Sequence, residues 1–149
     1  MSLAWFLFNT GRLVLPPLAV PIQETLAIDN AGFGFAITVL WAMYAIMQFV
    51  AGVSTDTLGS KTVIVGSLAV VGPAFALLGL TGSYPVFLLT LALVGVGGSF
   101  FYIVSRTYPS ELYGEAKGRA IGIVTAAGNG AGVLAPLIAT AVLAVSWRA

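Results

Sequence analysis

Runs of about twenty apolar residues alternate with short polar joints along almost the whole chain. The runs extend from about Leu3 to Ile28, Phe33 to Val53, Thr62 to Leu80, Val86 to Ser105 and Ala120 to Val145. The joints between them are "DNAG" at 29–32, the turn "STDTLGSK" at 54–61, "TGSYP" at 81–85 and "RTYPSELYGEAKGR" at 106–119. A run of this length matches a hydrocarbon core of roughly 30 Å crossed at 1.5 Å per residue. Nothing in the pattern shows the ten-residue alternation of a membrane barrel, and a lone spanning segment must satisfy its backbone internally, so every run is expected to be a helix. The expected fold is an all-α membrane protein of five transmembrane helices, a single domain over residues 1–149.

The first run departs from the others. Pro16, Pro17 and Pro21 interrupt it, and they are expected to bend the helix and free backbone carbonyls. It has no basic region ahead of its apolar stretch, and its arginine lies inside that stretch, so it reads as a retained span rather than a cleaved signal.

Composition narrows the class further. Charged residues make up 7% of the chain, against about 25% in an average soluble domain, and hydrophobic residues make up 59%. There is no cysteine and no histidine, which removes disulfides, thiolate chemistry and the usual imidazole base or metal ligand. The carboxylates are scattered, so neither an enzyme, a cofactor nor a metal site is expected. A net charge of +1 offers nothing to nucleic acid. The expected partners are the lipid bilayer and a small-molecule solute.

Placement of the basic residues gives an orientation. Lys61, Arg106, Lys117 and Arg119 all fall in the joints after the second and fourth runs, and only Arg148 falls on the opposite side. By the positive-inside rule those joints are cytoplasmic, with the N-terminus inside and the C-terminus outside, in the cell membrane.

The turn at 51–61, "AGVSTDTLGSK", spends two of the chain's few charges. Tyr44, Gln48, Gly52 and Asp56 recur every four residues and share one helical stripe. Gly52 would let another helix approach, Asp56 sits where the helix leaves lipid, Gly59 can take a left-handed conformation at the reversal, and Lys61 opens the next helix. A short polar hairpin is the plain alternative. In its cytoplasmic position, however, Gly52-x-x-x-Asp56-x-x-Gly59-x-Lys61 resembles the loop signature of the major facilitator superfamily, and the Tyr44-x-x-x-Gln48 pair is similar to many members. The resemblance implies the N-terminal half of a transporter, spans one to five, and a gating role for Asp56 and Lys61. "SRTYPSELYGEAKGRAIGI" resembles the family's joint between spans four and five, with Glu111, Gly118 and Arg119 at its matching positions. A charge cluster or an ion pair between Glu111 and Arg119 is expected there; Glu115 and Lys117 read equally well as solvated loop charges.

Small residues recur in the fifth run. Gly118, Gly122, Ala126 and Gly130 form one stripe, and Gly128 and Gly132 another, a spacing that lets helices pack closely in lipid. The family's antiporter signature sets a glycine directly before a proline. Here "VLA" separates Gly132 from Pro136, so that signature is absent. "GVGGSF" in the fourth run reads as packing.

For a solute site the leading candidate is Arg12, because an ionisable residue within a span is costly and marks function by default. It lies about nine residues, or roughly 13 Å, into the first helix; snorkelling to the headgroups is the structural alternative. The family resemblance implies an arginine facing the central cavity in carriers of organic anions, where a planar guanidinium pairs with carboxylate or phosphate. Asn9, Tyr44, Gln48, Tyr102 and Asn129 could add neutral hydrogen bonds, although each also reads as a helix contact. Glu24 and Asp29 read as interfacial. No coupling carboxylate is evident, and the coupling ion implied by the family is a proton or sodium. The resemblance covers half of the family's two-bundle unit, so the chain is expected to be a fragment of a secondary transporter, partnered by a missing C-terminal half or another membrane subunit. The alternative is a non-transporting five-span scaffold or accessory subunit.

Overall fold

The computed structural model describes the backbone of residues 2–145 and the side-chain surroundings of residues 5–138 and Thr140; Arg148 lies outside the described residues. The described chain consists of helices: α1 (Ser2–Val14), α2 (Ala19–Leu26), α3 (Asn30–Leu58), α4 (Ser60–Leu80), α5 (Tyr84–Tyr113), a 3₁₀ turn (Gly114–Ala116) and α6 (Lys117–Val145).

The prolines of the first apolar run do more than bend it. Pro16 and Pro17 have no N–H to give, so the α-helical ladder stops at Val14 and a turn carries the chain to Ala19, with Ala19 N donating to the Pro16 carbonyl at 3.1 Å. The first run is therefore two helices, of 13 and 8 residues, each too short to cross a bilayer alone. Three stretches are long and apolar enough to do so, Asn30–Leu58, Ser60–Leu80 and Tyr84–Ile138, and the last of these contains both α5 and most of α6.

Helix ends follow local chemistry. Asp29 is extended and its carboxylate accepts from Gly32 N at 2.8 Å, capping α3, which satisfies one of the free N–H groups of the first turn. At the other end of α3, Gly59 takes φ 79°, ψ 150°, a region essentially restricted to glycine. This lets α4 begin at the next residue. The reversal uses positive φ as expected, but with an extended ψ rather than the left-handed helical one. Pro85 enters α5 in its first turn, where its missing N–H has no helical partner to lose.

α5 is the centre of the bundle. It packs on α3 on one side and α4 on another and meets α6, while α1 lies mainly along α6. Trp5 and Phe8 of α1 reach α5: Trp5 stacks on Phe101 at 5.9 Å, and Phe8 approaches Phe101 at 6.3 Å. Several close helix approaches use glycines of α5. A Cβ at Gly95 would strike the Leu40 carbonyl of α3, one at Gly97 would meet Val71 of α4, and one at Gly98 would enter the Phe8 ring. "GVGGSF" is thus the main contact segment of the fold.

The glycine stripe expected on α6 is largely a correction. Gly128 is pressed against the Trp5 indole, and Gly132 just reaches Leu13 Cδ1 at 4.0 Å, but nothing lies within 4 Å of a Cβ at Gly118, Gly122 or Gly130. The same is true of Gly52, so no described helix approaches there. Spacing of four fixes a face, not its neighbour; α1 meets α6 along the Gly128 face, which leaves the 118–130 stripe outward.

The solvent of this bundle is lipid. Large apolar side chains point outward in mid-helix, with Phe49 79%, Val65 67% and Val133 71% exposed, an arrangement that water would penalise over so large an area. Three buried hydroxyls of α5, by contrast, are satisfied within their own helix: Thr90 Oγ1 donates to the Val86 carbonyl at 2.7 Å, Ser99 Oγ to Val96 at 2.7 Å and Ser105 Oγ to Tyr102 at 2.7 Å.

Candidate functional site

Arg12 is in the last turn of α1, where the helix ends early because of the prolines. Its positive charge is favoured there by the unpaired carbonyls of the helix terminus. One guanidinium nitrogen, Nη2, donates to Asn9 Oδ1 at 2.9 Å. Asn9 is held in turn, buried, with Nδ2 donating to the Trp5 carbonyl at 2.9 Å. Aromatic rings surround the rest of the group: the guanidinium carbon lies 4.7 Å from the Trp41 ring, 5.7 Å from Phe8 and 5.8 Å from Tyr44. Each such ring contributes about 0.5–2 kcal/mol depending on how dry the site is. Arg12 Nε is buried and has no hydrogen-bond partner.

The cluster continues across the bundle. Tyr44 of α3 is buried and sits edge-on to Trp41 at 5.7 Å and to Tyr102 of α5 at 6.0 Å. Tyr102 is also tilted against Trp5 at 5.6 Å. One turn further along α5, the Arg106 guanidinium lies 3.9 Å from the Tyr102 ring. Arg12, Tyr44, Tyr102 and Arg106 therefore form a continuous chain of contacts through α1, α3 and α5. No carboxylate comes within 4.0 Å of a basic nitrogen among the described residues.

Four of the sequence-derived candidates, Arg12, Asn9, Tyr44 and Tyr102, are thus brought together. Two are not. Gln48 is half-buried one turn beyond Tyr44 and makes no side-chain hydrogen bond among the described residues, and Asn129 is exposed, one residue round the helix from the Gly128 face that meets α1. The sequence reading missed Trp41 and Arg106. For Arg106 the available signal was the Tyr102-x-x-x-Arg106 spacing, which puts the two on one helical face.

At the turn joining α3 to α4, Asp56 and Lys61 are both exposed and unpaired with each other. Glu111 does not pair with Arg119 in this conformation. It accepts instead from Ser60 Oγ at 2.8 Å, which ties the end of α5 to the first residue of α4. Arg119 lines an open cleft of about 560 Å³ between the end of α5 and the start of α6, with Tyr108, Leu112, Tyr113 and Ile123 among its walls. At the opposite end of the bundle, the Tyr84 hydroxyl donates to the Gly32 carbonyl at 2.8 Å, fastening α5 to α3. No group of side chains that could hold a metal ion occurs among the described residues.

The curated proteins contain no match to this chain. The family model for the Major Facilitator Superfamily, however, matches residues 1–149, and the apolar helices fit a multi-pass membrane protein. The chain belongs to the major facilitator superfamily, whose members are membrane transporters of small solutes rather than enzymes.

Proposed function

We propose that this chain takes part in secondary active transport of a small organic anion across the cell membrane, with Arg12 as the contact for the anion. The supporting observation is the company Arg12 keeps. Its cation is held by one neutral amide and three aromatic faces, with Nε buried and unpartnered. A partly buried charge without a counter-charge among the described residues is costly, and a carboxylate or phosphate on the solute would relieve that cost through paired N–H donors. Asn9 fixes the guanidinium, while Tyr44 and Tyr102 offer hydroxyls beside it.

In this reading α1 and α2 together make one crossing, broken at Pro16 and Pro17, and α3, α4, α5 and α6 make one each, with the N-terminus cytoplasmic and the α3–α4 turn facing the cytosol. Alternating access rocks one bundle against another around a midplane site, and this bundle supplies one wall of that site. The driving ion is a proton or sodium. Asp56, Gly59 and Lys61, together with Glu111 and Arg119, form the cytoplasmic gate, whose contacts exchange as the bundle moves.

The test is uptake of a panel of solutes by membranes containing the transporter. Arg12→Gln should reduce uptake of anionic solutes at least about tenfold relative to neutral ones, the loss of one charge-assisted contact. Unchanged uptake of every anion in the panel would remove the assignment.

A further inference from the structure

The arrangement around Tyr44 holds a second cation that the reading of Arg12 does not use. Trp5 and Phe8 of α1 meet Phe101 and Tyr102 of α5, and a Cβ at Gly98 would fall on Phe8. Increasing number on α1 thus matches decreasing number on α5, so the two helices run antiparallel. Helical side chains lean toward their own N-terminus. Arg12 and Arg106 therefore lean toward one another, as their contacts show: Arg12 reaches back to Asn9 and Phe8, and Arg106 reaches back over Tyr102. Between the two guanidinium groups stand the Tyr44 and Tyr102 rings, 6.0 Å apart.

Neither cation has a counter-charge among the described residues. The five carboxylates of the chain are Glu24, Asp29, Asp56, Glu111 and Glu115. All five are exposed, and all lie at or near helix ends, and none comes within 4.0 Å of a basic nitrogen among the described residues. Two cations leaning toward each other in an apolar bundle repel, and the repulsion is strong where the dielectric is low. A single monoanion would neutralise only one of them.

We infer that Arg12 and Arg106 form a two-cation site, divided by Tyr44 and Tyr102, which selects small solutes carrying two acidic groups over those carrying one. This rests on the anion reading of Arg12 and narrows its substrate class to compact dianions, with Arg106 as the specificity-determining contact. Arg12 takes one acidic group with Asn9 as its support. Arg106 takes the other, and the two tyrosine hydroxyls supply neutral donors between them.

The test is calorimetric titration of the purified full chain in lipid nanodiscs with malonate, succinate and glutarate, each against the monocarboxylate of the same carbon count and against the corresponding neutral diamide. At least one dicarboxylate is expected to bind at least about tenfold more tightly than its monocarboxylate, the worth of one added charge-assisted contact, and the diamides are expected not to bind. Arg106→Gln should bring that ratio close to one while monocarboxylate binding persists, and Arg106→Lys should keep part of the preference. Arg12→Gln should abolish binding of both acids. A wild-type ratio near one overturns the two-cation site whatever the variants do. A ratio unchanged in Arg106→Gln, with binding still lost in Arg12→Gln, overturns the role of Arg106 and leaves the anion reading standing. Acid binding that is indifferent to Arg12→Gln overturns both.

Discussion

Replacing Gly95 by alanine adds one methyl group where α5 meets the backbone of α3. That methyl would overlap the Leu40 carbonyl oxygen and would sit 3.1 Å from Met43 Cβ and 3.2 Å from Tyr44 N, where ordinary contact begins at 3.4 Å. The obstruction is backbone, so no rotamer change relieves it, and α3 must retreat from α5 by about an ångström. A gap of that size forfeits a quarter to a half of each dispersion contact along the interface, and overpacked cores cost about 1–3 kcal/mol. Because α3 and α5 share the most extensive helix interface of the fold, the upper part of that range applies, about 2–3 kcal/mol. The control is Gly66→Ala on α4, where nothing lies within 4 Å; it should be neutral or stabilise by up to about 1 kcal/mol through helix propensity. Reversible unfolding in mixed micelles, followed by circular dichroism against increasing denaturing detergent, reads both variants. If Gly95→Ala proves as stable as wild type, or as stable as Gly66→Ala, the close approach of α3 to α5 is not a feature of the protein.

The Ser60 to Glu111 hydrogen bond should give a coupling energy of about 1 kcal/mol in a double-mutant cycle of Ser60→Ala and Glu111→Ala measured by the same unfolding assay; strictly additive effects would dissolve that tie. Gly59→Ala should destabilise by about 1–3 kcal/mol, since its φ of 79° and ψ of 150° admit glycine almost alone, and a loss below a few tenths would mean that the reversal is built differently. Asp56→Asn should slow solute turnover while leaving equilibrium binding nearly unchanged, as a gate contact requires. A matching loss of affinity would place Asp56 in binding instead.

The apolar runs were readable because lipid selects for length and hydrophobicity, and the helices that form from them extend past the hydropathic limits: α3 continues from Val53 to Leu58, and α5 from Ser105 to Tyr113. Hydropathy does not register these polar extensions, which continue the same backbone hydrogen-bond ladder. Pro16 and Pro17 announced a disturbance but not its extent. Two consecutive residues without N–H stop the helix where one would have kinked it. Arg12 was legible because a charge within an apolar run is conspicuous, whereas Arg106 borders a polar joint and looks like any headgroup charge until its lean over Tyr102 is seen. The contacts of Gly95 with Leu40 and of Ser60 with Glu111 join positions more than fifty residues apart, and no local spacing encodes them.

The chain contains no cysteine, so single cysteines can be introduced without a background, and the membrane arrangement can be measured directly by thiol labelling in sealed cells and in opened membranes. Phe49 is 79% exposed on the isolated bundle, and Asp56 is exposed seven residues further along the same helix. With lipid around the bundle and the α3–α4 turn in the cytosol, Phe49→Cys should resist a water-soluble maleimide throughout, and Asp56→Cys should react only after the membrane is opened. Rapid labelling of Phe49→Cys, or labelling of Asp56→Cys in sealed cells, would contradict the account.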